Sequence, residues 1–267
     1  GGPNAENGTF INGFYETRPI IYGEDAYGFA RTGQTICNVT DSKIIKLFVD
    51  DEPFWLPDAH LLRYDRRLNM KSGTLDREIL WETPAGKQVS IKSRRLVSLP
   101  NRHVAAISYC VTLLNAQAFV VLSSEMAAND PSARGNEADP RLARAFLGRV
   151  LHPRASYSKD RRIVLCHVTD KSRFTLTCAT DNALETSCPH SYKVVHSADF
   201  GQVAFTIEAQ PGCPIQLTKY MVYHTSQTAS AEELCGRAEW TLDRVVSQGF
   251  QRLLAAQEQY MNDFWRR

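Results

Sequence analysis

Residues 75–99, LDREILWETPAGKQVSIKSRRLVSL, alternate apolar and polar side chains on both sides of Pro84-Ala85-Gly86. This is the period of two expected of half-buried β-strands flanking a turn. Side chains that face each other across two strands share one side of the sheet, so the register can be tested on the sequence. A three-residue loop at 84–86 sets Trp81 against Val89 and Ile79 against Ile91 on one face. On the other it sets Glu82 against Gln88, Glu78 against Lys92 and Asp76 against Arg94. Apolar groups meet apolar groups, and two acidic side chains meet basic ones. Pro84 has the φ wanted at the second position of a type I turn, and Gly86 can take the left-handed conformation that closes the hairpin with a bulge.

KIIKLFVDDEPFWL (43–56) alternates too, and further strand-like runs are RHVAAISYCVTLL (102–114), AFVVLSSEM (118–126), RRIVLCHVT (161–169), RFTLTCAT (173–180), SYKVVHS (191–197), QVAFTIEA (202–209) and PIQLTKYMVYHTS (214–226). About ten strands joined by short turns, with no helices between them, predict a mainly β fold: a large antiparallel β-sandwich. Between 127 and 160 the β signal gives way to Pro, Gly and charge, which predicts a long excursion from the sheet with one short helix around 140–150. After Ser230 the period becomes about 3.6. Ser230 and Glu233 form a capping-box signature, one helix is expected over 231–247, and a second follows Gly249.

That second helix carries Phe250, Leu253, Leu254, Gln257, Tyr260, Met261, Phe264 and Trp265 at spacings of three, four and seven. Two readings of the stripe stand: the helix covers its own sandwich, or Tyr260, Phe264 and Trp265 pack on a further domain.

Charge narrows the function classes. Thirty-one Lys and Arg against 29 Asp and Glu leave a formal net charge of +2 over 267 residues, which makes no electrostatic case for nucleic acid. The local excess at 134–162 (Arg134, Arg141, Arg144, Arg149, Arg154, Lys159, Arg161, Arg162) has no interleaved aromatic groups and reads as a solvated loop or a domain-contact surface. No segment is apolar enough for a membrane span, and none has the pattern of a signal peptide. The opening GGPNAENGTF reads as the middle of a loop, so a longer gene product is expected. Seven cysteines, at 37, 110, 166, 178, 188, 213 and 235, are odd in number and hold no C-x-x-C pair. They predict neither a disulfide framework nor a zinc site, and a cytoplasmic setting.

Candidate chemistry is sparse. No phosphate loop, nucleophile elbow or H-E-x-x-H occurs, and the reading is of no catalytic residue, no metal and no cofactor in this chain. His103, His167, His196 and His224 fall in strand patterns and read as structural, and Asp50-Asp51-Glu52 reads as a turn. Between 10 and 35, aromatic side chains sit among Gly, Glu, Asp and Arg. Phe14, Tyr15, Glu16, Tyr22 and Tyr27 are candidates to border a carbohydrate, since sugar rings lie on aromatic faces and are held by forked polar groups. A loop that seals one end of the sandwich fits the same composition.

The order GTFINGFYE, NVTDSKIIKLFVDDEPF, YDRRLNMKSGTLDREILWETPAGKQVSIKSRRLVSL, HVAAISYCVTLLN and VVLSSEM resembles the N-terminal domain of glycoside hydrolase family 65, which includes maltose, trehalose and kojibiose phosphorylases and some α-glucoside hydrolases. The match is most specific over 68–98, strong over 10–126, and looser to YMNDFW. The resemblance implies that 1–227 form a supersandwich and that 228–267 begin a helical linker toward an (α/α)6 catalytic barrel absent from this chain. It places the general acid and the phosphate site in that barrel, so no catalytic residue carries over.

By the same resemblance, the parent enzyme cleaves α-linked glucose disaccharides with inversion. A carboxylic acid protonates the leaving oxygen while inorganic phosphate, as co-substrate, or activated water attacks from the opposite face. The implied partners are the barrel, a small α-glucoside and a second copy in a homodimer. Two alternatives to a non-catalytic domain are a free-standing carbohydrate-binding module and a purely structural assembly domain.

Overall fold

A computed structural model describes residues 8–20, 24, 26–128 and 149–266. It contains fifteen strands among these residues: β1 (Tyr15–Pro19), β2 (Thr32–Ile36), β3 (Asp41–Val49), β4 (Glu52–Pro53), β5 (His60–Asn69), β6 (Thr74–Glu82), β7 (Gln88–Val97), β8 (Val104–Leu113), β9 (Ala118–Ala127), β10 (Leu151–Lys159), β11 (Arg162–Thr169), β12 (Thr175–Glu185), β13 (His190–His196), β14 (Phe200–Ala209) and β15 (Ile215–Ser226). One helical run, α1 (Ala231–Trp265), follows. An eight-stranded sheet in the order β10-β11-β12-β15-β8-β7-β6-β5 faces a five-stranded sheet in the order β13-β14-β9-β3-β4, and β1 and β2 form a separate hairpin. All pairings between these strands are antiparallel.

The hairpin read from 75–99 folds in the expected register, with Trp81 opposite Val89, Ile79 opposite Ile91 and Asp76 opposite Arg94. Gly86 N–H donates to Thr83 O at 2.8 Å and Gly86 has φ 77°, which a residue with a Cβ takes only at a cost. Ile79, Trp81, Val89 and Ile91 enter the core between the sheets, where they join Leu47, Val49, Leu122, Val203 and Phe205 from the smaller sheet. Phe54 lies against Trp81 with ring centroids 5.1 Å apart.

On the outer face of the large sheet, Val164, Cys166, Ala179, Tyr220 and Val222 pack against Cys235, Ala238, Leu242, Val245 and Leu253 of α1. The inner strands β11 and β12 are therefore buried on both faces, which explains why RIVLCHVT is nearly continuously apolar instead of alternating. Ser230 caps α1 by accepting the Glu233 N–H at 3.1 Å. The helix breaks at Gly249, whose φ of 76° and ψ of 164° interrupt the run where the sequence separates two helices.

Four strands escape the pattern. β1 and β2 fall in the aromatic segment read as a loop, β5 is read past, and β10 lies inside the segment read as an excursion. β5 and β10 are the outer strands of the large sheet. β10 carries Pro153 beside a register shift between Pro153 and Ala155, and β5 shifts between Leu61 and Arg63. Bulges, Pro and charge on edge strands blunt unwanted pairing, and they also erase the alternation that marks a strand. The short helix expected around 140–150 falls mostly on residues outside the described ones, as do Arg134, Arg141 and Arg144.

Candidate functional site

The segment singled out for sugar contact is split by the fold. Phe14 is buried in a cluster with Cys37, Val39, Ala128, Leu151 and Leu176, which seals one end of the sandwich. Its ring lies 5.4 Å from that of Phe174, and Tyr15 meets Phe174 edge-on at 5.2 Å. Glu16 is buried, and its carboxylate accepts N–H groups from Thr17 at 2.7 Å, Lys171 at 3.0 Å and Ser172 at 2.7 Å. Burial pushes this carboxyl up, but the bonds from Lys171, Thr17 and Ser172 outweigh it and hold it below the ordinary range. Glu16 thus ties the β1–β2 hairpin to the connection between β11 and β12. Tyr27 is fully exposed, and Tyr22 lies outside the described residues.

At the other candidate surface, the stripe on the second half of α1 divides. Phe250, Leu253, Leu254, Gln257 and Met261 are buried on the sheet, while Tyr260, Phe264 and Trp265 remain 45%, 55% and 54% exposed. Gln257 anchors the helix by accepting the Leu99 N–H at 2.9 Å and donating to Val97 O at 3.2 Å. Trp265 Nε1 donates to Met70 O at 3.0 Å, holding the helix end against the tip of the β5–β6 hairpin. Met70, Lys71, Asn262, Trp265 and Arg266 line an open depression of about 490 Å³ there, and Phe264 meets Trp265 edge-on. The result is an aromatic and cationic surface on a rigid base.

A third surface has no sequence signal. On the inner face of the large sheet, beyond Ile79 and Ile91, Arg66 stands opposite Arg77, and Arg95 lies diagonally across from Arg77. None of the three is ion-paired among the described residues. Burial, and then the charges of Arg77 and Arg66, push the Arg95 guanidinium down; Asp41, which opposes this, is bonded to Lys43 at 2.8 Å. Tyr109 is buried in the same region, and the neighbouring arginines only partly offset the effect of burial, which pushes its phenol up to about 12.

Glu125, Lys219, His224, His167 and Asp50 are engaged by neighbouring groups of the fold. Glu125 accepts from Ser123 Oγ at 2.8 Å and pairs with Lys46 at 2.8 Å. Lys219, fully buried, donates to Ile44 O at 3.0 Å and Glu125 O at 2.7 Å, next to the register shift of β3 between Asp41 and Ile44. Burial pushes its ammonium down to about 7. His224, stacked on His103 at 4.0 Å and bonded to Thr241 Oγ1 at 3.0 Å, is pushed down to about 4 by burial and by His103 and Arg237. His167 Nε2 bonds Asp199 at 3.0 Å. Asp50, with φ 52°, accepts the Phe119 N–H at 3.0 Å and pairs with Lys87, as a turn residue. Among the described residues no three His, Cys, Asp or Glu side chains gather as a metal site.

The family model for the glycosyl hydrolase family 65 N-terminal domain matches residues 1–264. The chain belongs to this family. The family 65 domain is 36% identical over 260 residues, or 97% of its length, to an α,α-trehalose phosphorylase of Thermoanaerobacter brockii, and spans 34% of that protein. It is 24% identical over 248 residues, 93% of its length, to a maltose phosphorylase of Bacillus subtilis, again covering about a third (31%) of the relative. Its fold matches a solved structure described as a putative kojibiose phosphorylase from the human microbiome, with a TM-score of 0.81 at 17% identity over 97% of this chain and 32% of that one. The family 65 domain therefore spans about a third of the length of these relatives. Among its described residues no helix is long and apolar enough to cross a membrane.

Proposed function

We propose that this family 65 domain is the non-catalytic N-terminal scaffold of an enzyme that cleaves α-linked glucose disaccharides, and that it docks the catalytic part through the exposed end of α1. The observation that carries this reading is the aromatic pair Phe264 and Trp265, left uncovered at a helix end that is itself held firmly by Gln257 and Met70. Exposed aromatic groups on a rigid base are what an interdomain contact uses, since ordering them costs little further entropy. The buried carboxylates Glu16 and Glu125 are consumed by backbone and side-chain donors, which leaves neither as a general acid. Inorganic phosphate is the co-substrate in the phosphorolytic form of the reaction, and it binds outside this chain.

The test has two arms. The chain alone, with trehalose, maltose or kojibiose and phosphate, releases no glucose or glucose phosphate; robust turnover sinks the reading. In the full-length protein, Phe264→Ser with Trp265→Ser lowers activity and the melting midpoint of the whole while leaving the β signature of this domain intact. Unchanged activity and midpoint rule out the docking role. Sugar contact within this domain rests on Tyr15 and Tyr27, the described candidates that keep surface, and calorimetric titration with the same disaccharides reads it directly.

A further inference from the structure

Two cysteines that are 25 residues apart in the chain meet at one end of the sandwich. Cys188 lies in the connection from β12 to β13, Cys213 in the connection from β14 to β15, and their sulfurs are 3.0 Å apart. β12 and β15 belong to the large sheet, β13 and β14 to the small one. Both connections are thus crossovers between the sheets, and the sulfur pair sits where the crossovers touch.

The ladders place this contact. Glu185 pairs with Gln216 at one side of it and His190 with Ile207 at the other, while Glu208 N–H donates to Pro189 O at 2.9 Å. Only about 1 Å of further approach separates the sulfurs from the ~2.05 Å of a disulfide bond. Both cysteines are thiols here.

The two sulfurs are chemically unequal. Cys188 is buried in the main core cluster, whereas Cys213 reaches the surface with Ser187 Oγ 3.1 Å and Thr186 Oγ1 3.7 Å from its sulfur. Hydrogen bonds from Cys188 and then Ser187 hold the Cys213 thiol below its ordinary range, which favours its thiolate. An accessible thiolate beside a buried thiol is the arrangement of an attacking and a resolving cysteine.

We propose that Cys213 and Cys188 are a redox-active pair that closes reversibly into a disulfide and clamps the two sheet crossovers together. The oxidant is a small-molecule disulfide of the glutathione type. The Cys213 thiolate attacks one sulfur of it, forming a mixed disulfide and expelling one small thiolate, which takes up a proton. Cys188 then loses its proton and attacks the Cys213 sulfur, forming the protein disulfide and releasing the second small thiol. Two protein thiols and one small disulfide become one protein disulfide and two small thiols, and excess small thiol runs the exchange backward.

The Cys166 and Cys235 thiols supply an internal control. They interact with each other but are both buried between the large sheet and α1, away from a dissolved oxidant.

The experiment incubates the purified chain with oxidised glutathione and follows intact mass, a non-reducing peptide map and thermal melting. The expected product has lost the two thiol hydrogens, links Cys188 to Cys213 with Cys166 and Cys235 still reduced, and melts about 5 °C or more above the reduced form. Excess reduced glutathione restores the starting mass. Cys213→Ser stays reduced at Cys188, and Cys188→Ala stops at a glutathione adduct on Cys213. If the Cys188 variant fails to fold, the wild-type map decides alone. A wild-type chain that stays reduced, stops at the adduct, links another pair or melts no higher once linked overturns the proposal.

Discussion

On the outer face of β5, β6 and β7, Arg94 Nε donates to Asp76 at 2.6 Å, Glu78 lies opposite Lys92, and Arg63 and Arg67 approach Glu78 and Asp65. On the inner face of the same three strands, Arg66 stands opposite Arg77 with Arg95 on the diagonal and no described carboxylate pairing with any of them. The outer face balances its charge within the sheet. The inner face does not, although a few ångströms along it Ile79, Trp81, Val89 and Ile91 close a dry core. Like charges directly opposite each other in a ladder repel. Arginine cannot relieve that by losing its proton, whereas Lys219, deeper on the same face, can. One face of the sheet thus neutralises its charges in cross-strand pairs, while the other carries three like charges whose mutual repulsion Asp41 opposes at Arg95.

Four substitutions separate the two faces experimentally. The largest effect is expected where the inner face is sealed: Trp81→Ala removes the side chain packed on Phe54 and costs about 3–5 kcal/mol in urea unfolding, and a loss well under that range means that the core here is not close-packed.

Next comes Lys219→Met, which strands the Ile44 and Glu125 carbonyls and costs about 2 kcal/mol. Its pH signature is separate. Burial depresses the Lys219 ammonium to about 7 from an ordinary 10.5, so between these values the unfolded chain binds more protons and raising the pH stabilises the fold. The wild type therefore gains on Lys219→Met between about pH 7 and about pH 8.5, and a constant gap contradicts a buried Lys219.

Arg77→Glu is expected to stabilise the chain by about 1 kcal/mol at low ionic strength, by replacing repulsion with attraction toward Arg66 and Arg95. Added salt should stabilise the wild type more than this variant. Asp76→Asn on the outer face is the smallest change, a loss of about 0.5 kcal/mol that shrinks as salt rises. Equal salt responses for the two variants erase the distinction between the faces.

How much of this was legible depended on whether a feature is local. The register of β6 and β7 follows from alternation plus Pro84 and Gly86, and the break of α1 at Gly249 from one residue's conformational freedom. β5 and β10 were not legible, because edge strands answer to the need to discourage pairing and carry bulges, Pro153 and charge in place of alternation. In sequence alone Glu16 is a candidate ligand for sugar because composition near it is aromatic and polar. Its three N–H donors come partly from residues 171 and 172, which no local pattern connects to it. The arginine row was equally hidden, since Arg66, Arg77 and Arg95 each sit at an ordinary polar position of a strand and become a group only when the strands pair.

The class of fold, the hairpin, the capped and broken terminal helix and the resemblance to family 65 are written in the order of residues, because periodicity, turn chemistry and motif order are properties of neighbours along the chain. Which of the terminal aromatic groups stay uncovered, that Lys219 bonds the Ile44 and Glu125 carbonyls, and that Cys188 meets Cys213 come from the packing of the folded chain. Each of these depends on two sheets facing each other, and the distance between their members in space is set by ladders and crossovers rather than by spacing in sequence.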